Sequence, residues 1–446
     1  MKIKFYGGIE KVTGSNFLIE MDSKKIMIDC GLIQGTNTCE LENFEPFPFN
    51  PKEVDLVIIT HPHLDHSGRL PKLIKEGFNG KILGTLPAKE ITNEILLDSL
   101  KIIKEECGKE LFSEADIDKT LELWEPIDYH KIINIDDTIS IEFFDGGHIL
   151  GAAFVKISSK SGATIVFSGD LGNSPNPILK DTEKLPDTDY LILESTYGDR
   201  NHENPETRKE ILEDIIEQTI KNNGVLIIPV FAIERTQEIL FDISDLIKNK
   251  KIPMLKIFLD SPLAFRITEI YQKHHEYFNE EAKKQFAHTK ILDYPHLNIV
   301  KRIPDEIKMF EEKNPKIILA GSGMLTGGRI LNLMRRYISN PTTTLLFVGF
   351  QVEGSLGRKI LDGDKNIIIE NNSFEVRAKI EKLLSYSDHK DQKSIMDWIR
   401  PQGQNIKKIF LVHGDKEPKI SLKTKIMDDL GVDVEIPTKN DTIELL

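Results

Sequence analysis

Long apolar runs are missing from this chain. The most hydrophobic stretch, Val225 to Ile233, carries Pro229 and is far shorter than the ~20 residues needed to cross a bilayer. The amino-terminal segment MKIKFYGGIE has no apolar centre and does not read as a signal peptide. Cysteine is scarce, with Cys30, Cys39 and Cys107 making three. Their spacing offers no paired metal motif, and an odd number reads as free thiols in a reducing compartment. Positive charge is also in deficit. Lys and Arg number 58 against 71 Asp and Glu, a net charge of −13, which argues against a protein that scans DNA or RNA non-specifically. It leaves a nucleic-acid substrate open, because metal ions beside acidic residues would reverse the local sign. Low-complexity segments, repeats and long linkers are absent. Together these absences predict a cytoplasmic protein with no membrane association.

What is present is ordinary globular material, 39% hydrophobic and 29% charged, over 446 residues, enough for two domains. Short apolar runs alternate with amphipathic stretches, which predicts an α/β protein. Up to about Gly198 strands dominate: Lys2–Tyr6, Ser15–Glu20, Lys25–Ile28, Leu56–Ile59, Ile139–Phe144, Ala152–Ile157, Thr164–Phe167 and Tyr190–Leu193. Ala88 to Cys107 has helical spacing, with Ile91, Ile95, Leu96 and Ile102 expected on one face. From about Asn201 the rhythm becomes a regular helix–strand alternation. It begins with a helix near Pro205 capped by Asn204 and reads as a parallel, doubly wound module. After Phe374 come a strand over Glu375–Lys382, a helix near Asp391–Ile399 and a strand over Lys408–Val412.

The strongest chemical signal is Thr60-His61-Pro62-His63-Leu64-Asp65-His66. Four ligand-type side chains fall within six residues, too close to share one helix face, so the segment fits a loop leaving a strand. Imidazole with carboxylate suits zinc, and donors this dense can divide between two neighbouring ions. Polar donors recur where predicted strands end: Asp29, Thr60 with His61, Asp145 with His148, Asp170, Glu194 and His413. Ligands and catalytic groups of α/β sheets gather at one set of strand ends. Of twelve histidines, His130, His202, His274, His275, His288 and His296 lie in polar or mixed stretches and are expected to be surface or structural.

The HPHLDH segment resembles the metallo-β-lactamase fold superfamily, and later motifs narrow this to its β-CASP branch of nucleases. They are ESTYGDR (Glu194–Arg200), FAIERTQEIL (Phe231–Leu240), LDSPLA (Leu259–Ala264), GSGMLTGGRI (Gly321–Ile330), VGFQVEGSLGRKI (Val348–Ile360), SYSDHKD (Ser385–Asp391) and LVHGD (Leu411–Asp415). That branch includes RNase J and stand-alone bacterial and archaeal ribonucleases, and the resemblance spans essentially the whole chain. It implies an αββα hydrolase sandwich over 1–199 and 376–446, interrupted by an inserted parallel-sheet β-CASP domain over 200–375 that lids the metal cleft. The chain looks like the catalytic core alone.

Roles follow residue by residue from the resemblance. His61, His63 and His148 would hold one zinc ion. Asp65, His66 and His413 would hold the other, with Asp170 bridging and Asp29 orienting ligands from behind. Manganese is the alternative metal. His389 and Glu194 would act as an acid pair over the leaving group, with Asp65 also among the catalytic residues. Ser322, Thr326 and Arg329 are candidates for contacting the RNA backbone, while Arg235 is expected in a structural ion pair. Two features depart from the pattern. Asp388 precedes His389 where a small residue is common, and it either raises the pKa of His389 or points away. The helix after Gly328 reads ILNLMRR, without the histidine often found there.

The implied activity is hydrolysis of single-stranded RNA by internal cutting, with trimming from the 5′ end left open beside it, giving 5′-phosphate and 3′-hydroxyl products. Expected partners are the RNA, a second copy of the chain, or an RNA-processing complex. A DNA nuclease of the same branch and a small-molecule metallo-hydrolase are the competing readings.

Overall fold

The computed structural model describes residues 1–35, 39–160, 162–203, 207–286, 296–349, 351 and 354–445. Asn204 and Pro205, expected to open a helix, and His288 lie outside them. The chain divides into two compact units, 1–201 with 389–446, and 202–388.

The first unit is built on two seven-stranded sheets. One runs in the order Thr442–Glu444, Lys2–Gly7, Asn16–Met21, Lys24–Ile28, Leu56–Ile58, Lys81–Gly84, Trp124–Pro126. The other runs Asp433–Glu435, Lys408–Val412, Tyr190–Glu194, Thr164–Phe167, Ala153–Ser159, Ile139–Asp145, Ile133–Asn134. Each sheet has an antiparallel half and a parallel half. Strand periodicity sends alternate side chains inward, as in Ile139–Asp145, where every second residue is buried. Phe5, Phe17 and Ile28 of one sheet thereby meet Phe143, Phe167, Ile192 and Phe410 of the other in one apolar layer. Burying each such side chain fully contributes roughly 1.5–3 kcal/mol. The outer faces are covered by helices. Leu70, Leu73 and Ala88 pack on Leu18, Met27, Val57 and Ile82, and Ile395, Ile399, Leu422 and Ile426 pack on Val166, Leu191, Leu193 and Leu411. The layer order is αββα, as the resemblance implies.

Two expectations are corrected here. In the helix Leu86–Cys107, Ile91, Ile95 and Leu96 are buried, but Ile102 is 40% exposed and Ile103 is the residue turned inward. Steps of four from Ile91 pass through Ile95 and the buried Ser99 to residue 103, so Ile102 falls off the face. The cysteines are not all free thiols. Cys39 and Cys107 form a disulfide across 68 residues of sequence, with Cα atoms 5.5 Å apart. The segment after Gly31 is drawn to this helix because Leu32 packs with Leu96 and Ile103, a tertiary contact invisible to spacing rules. Cys30 remains a buried thiol, which burial pushes up to about 12. Among the described residues no helix is long and apolar enough to cross a membrane.

The second unit carries a six-stranded sheet ordered Leu297–Ile299, Lys256–Asp260, Lys316–Ala320, Val225–Pro229, Thr343–Phe347, Lys379–Lys382, parallel throughout. Its central strands, VLIIP and KIILA, are buried at every position, as parallel strands flanked on both faces must be. The stretch read as one strand over Glu375–Lys382 is two: Asn372–Glu375, in a hairpin with Asn366–Ile369, and Lys379–Lys382 on the sheet edge.

Candidate metal centre

Strand ends deliver most of the polar groups to one place in the first unit. Asp29 follows Lys24–Ile28, and Thr60 and His61 follow its parallel neighbour Leu56–Ile58. Across the sandwich, Asp170, Glu194 and His413 stand at the carboxyl ends of three adjacent parallel strands. Asp65 and His66 sit in the single-turn helix Leu64–Ser67, and His148 in the turn after Ile139–Asp145. Asp145 itself stays outside the cluster, where its carboxylate accepts a 2.9 Å hydrogen bond from the Gly147 amide.

Two donor groups result. In the first, His63 Nδ1 lies 3.2 Å from His61 Nε2 and 3.3 Å from His148 Nε2, and Asp170 Oδ2 lies 3.4 and 3.6 Å from those same Nε2 atoms. A tetrahedron of donors about 2.0–2.1 Å from a central zinc ion has edges of about 3.3–3.4 Å, so the spacing is that of a zinc shell. In the second, Asp170 Oδ1 lies 3.4 Å from His66 Nε2 and 3.6 Å from His413 Nε2, and Asp65 Oδ2 lies 4.0 and 3.8 Å from the same pair. Asp170 thus turns one oxygen toward each group. His66 Nε2 and Asp170 Oδ1 are both buried and make no hydrogen bond, although they face each other. Such orphaned atoms are costly unless an ion satisfies them.

The rear nitrogens of the rings are occupied. His66 Nδ1 donates to Asp29 Oδ2 at 2.7 Å, and Thr60 Oγ1, which itself donates to Asp29, accepts from His61 Nδ1 at 3.1 Å. His413 Nδ1 lies 3.0 Å from Ser15 Oγ. Each of these rings, held from behind at Nδ1, presents Nε2 forward, where a metal would bind once any proton there is displaced. Burial, reinforced by neighbouring imidazoles, drives His61 and His413 well below the usual histidine range, so both are neutral. Burial also pushes Asp170 up to about 7 and raises Asp65. At His66 burial opposes the charged ring, but Asp170, Asp29 and Asp65 outweigh it and lift the imidazole to about 10. The pocket thus holds a proton where its carboxylates call for a cation. Donor types, spacing and orphaned atoms all fit a divalent metal.

His389 stands beside these groups and opens to solvent. Its Nδ1 lies 3.2 and 3.3 Å from the two oxygens of the fully buried Glu194 and 4.0 Å from Asp170 Oδ2. Glu194 is anchored by the amides of Leu171 at 2.8 Å and Thr196 at 3.3 Å. Burial would raise this carboxyl, but His389 and those donors lower it instead, so it is ionised. A β-bridge between Gly172 and His389 fixes the backbone.

Other singled-out residues lie in the second unit. Asp388 Oδ1 pairs with Arg235 Nη2 at 2.8 Å, and Arg235 also holds Glu238 at 2.8 Å, the structural ion pair expected of that arginine. Arg329 is bound to Asp260 at 2.7 Å and to the carbonyls of Val300 and Lys301. Ser322 Oγ accepts from the Thr326 amide at 3.1 Å. Sequence reasoning missed Ser15 altogether; the only trace was a Gly-Ser pair at the start of a strand.

Three family models match the chain: Metallo-beta-lactamase superfamily domain over residues 18–193, Beta-Casp domain over 236–360, and Zn-dependent metallo-hydrolase RNA specificity domain over 373–437. The chain is 37% identical over 424 residues to Ribonuclease TTHA0252 of Thermus thermophilus, covering 95% of each protein. It is 30% identical to an RNase J-like protein of Methanocaldococcus jannaschii, covering 98% of each. To Transcription termination factor FttA of Methanosarcina mazei it is 29% identical, over all of this chain and 72% of that one. A crystal structure of a protein of unknown function from Enterococcus faecalis V583 shares the fold, with a TM-score of 0.58 at 13% identity, covering 100% of this chain and 99% of that one.

Proposed function

We propose, from the premise that this chain belongs to the β-CASP branch of the metallo-β-lactamase superfamily, that it is a two-zinc ribonuclease acting on single-stranded RNA. The observation that carries the reading is the pair of donor groups sharing Asp170, with His389 and Glu194 alongside. The match of residues 373–437, which include His389 and His413, to an RNA specificity domain supports RNA as the substrate.

His61, His63, His148 and Asp170 would hold one ion, and Asp65, His66, His413 and Asp170 the other, with zinc favoured over manganese by the donor types. When bound, such a pair lowers the pKa of water and stabilises charge on a phosphodiester. The protein's own groups do the rest. Asp65, the most exposed carboxylate of the set at 16%, takes up the proton of the attacking water on Oδ1, the oxygen that does not face His66 and His413. Glu194, ionised and anchored, accepts from His389 Nδ1–H and stabilises the imidazolium, whose Nε2–H passes to the departing 3′ oxygen and leaves a neutral ring. Products are a 5′-phosphate and a 3′-hydroxyl, and the ladder of labelled fragments separates cuts within the strand from trimming at its 5′ end. A cytoplasmic site of action, in a homodimer or an RNA-processing complex, belongs to the same proposal.

The test uses one internally labelled RNA and its DNA counterpart, with zinc, with a chelator, and with His389→Ala. The expected result is metal-dependent RNA cleavage that falls about 10²–10⁴-fold in the variant while two ions stay bound. Cyclic 2′,3′-phosphate ends would overturn the mechanism, and cleavage of DNA alone would overturn the substrate.

A further inference from the structure

Ser15 is fully buried at the turn leading into Asn16–Met21, and each of its polar groups is committed at the metal centre. Its amide donates to the Asp65 carbonyl at 2.9 Å. Its carbonyl accepts from the Gly31 amide at 2.9 Å. Its hydroxyl lies 3.0 Å from His413 Nδ1. One residue therefore touches two members of the second donor group, Asp65 through its backbone and His413 through its ring. Gly8 makes the room. At φ +68° it carries no side chain, and a Cβ there would stand 2.8 Å from the Ser15 oxygen, while its carbonyl accepts from the His413 amide at 2.6 Å.

The rings differ in what holds them from behind. His66 leans on the Asp29 carboxyl group, and His61 on a Thr60 hydroxyl that donates to the same group. Among the described residues, His413 Nδ1 has only the neutral Ser15 hydroxyl. A neutral imidazole carries its hydrogen on either nitrogen, and only the form with hydrogen on Nδ1 presents Nε2 as a ligand. We propose that Ser15 is a positioning residue that accepts from His413 Nδ1–H when Nε2 ligates a metal and holds the ring's angle, so that the affinity of the second metal, and not the first, depends on this hydroxyl. This rests on the two-metal reading above.

The test titrates the whole, metal-stripped chain with zinc against a competing chelator, and repeats the titration with cobalt while following its visible absorption. The variants are Ser15→Ala and Ser15→Cys. The thiol keeps the side chain's volume but is a poor hydrogen-bond partner, and so serves if the alanine variant folds badly. Wild type is expected to take two ions. Each variant should keep one at unchanged affinity, bind the other about 10–100-fold more weakly, and alter only part of the cobalt spectrum. Two unweakened ions in a folded variant would overturn the proposal. So would equal weakening of both ions with a loss of stability in the metal-free protein, which is what a packing role predicts. Fewer than two ions on wild type would sink the two-metal reading, and this proposal with it.

Discussion

Arg235 is 3% exposed, with its guanidinium between the carboxylates of Glu238 and Asp388. Burial pushes Glu238 up to about 7 even with Arg235 beside it. Removing the cation leaves two carboxylates without their compensation, so Arg235→Met is expected to cost about 3–5 kcal/mol in a urea melt. The pairing also decides between the two orientations open to Asp388 in the sequence. Its carboxylate is directed to Arg235, a partner 153 positions away that no local rule could supply. The metal-type residues were more legible, because donors packed into HPHLDH and recurring at strand ends are a local signal. Ser15 was not, since a serine before a strand looks like any other turn residue. The protonation pattern gives a second prediction. Metal must displace the proton held by His66 and, below about 7, that of Asp170. Apparent zinc affinity should therefore rise from pH 6 to pH 8, with net proton release measured by calorimetry in buffers of different ionisation enthalpy. An affinity flat across that range would contradict the assignment.

The single-turn helix Leu64–Ser67 depends on an approach so close that only glycine allows it. A Cβ on Gly31 would stand 1.6 Å from the Asp65 carbonyl oxygen. Gly31→Ala must displace the turn that carries Asp65 and His66. The variant is expected to lose zinc from the second group and melt lower, by several degrees, and elemental analysis with thermal melts would check both. Elements with a strong period were readable. The strands Thr164–Phe167 and Lys408–Val412 stand where expected, and other strands end within a residue or two of their predicted limits. Short or weakly patterned helices escaped. Leu64–Ser67 is a single turn. Lys416–Leu430 buries only Pro418, Lys419, Leu422 and Ile426. Glu114–Leu123 did carry a signal, the Ser113–Asp116 capping box. Sheet order was beyond reach as well. Tyr190–Glu194 pairs with Lys408–Val412 across the whole inserted segment, and only tertiary packing makes that choice.

At the scale of the molecule, the residues assigned to metal binding and proton transfer belong to the first unit, while the second has its own apolar core around Ile227, Ile318, Leu333 and Phe347. An ion that binds only folded protein stabilises what it binds, by about 2.7 kcal/mol at a hundredfold excess over its dissociation constant. Stripping the metals should therefore lower the calorimetric transition of the first unit and leave that of the second in place. A uniform downward shift of both would contradict this assignment of the centre.

The first unit is assembled from two stretches of chain, residues 1–201 and 389–446, and the later stretch brings His389, His413 and the strand Thr442–Glu444 that pairs with Lys2–Gly7. A ribosome makes the earlier stretch first. Throughout synthesis of the intervening residues, the HPHLDH turn exists without His413, which completes its second donor group, and without His389 beside it. The donor cluster thus assembles late, when Lys408–Val412 and Thr442–Glu444 join strands made some two hundred residues or more before them.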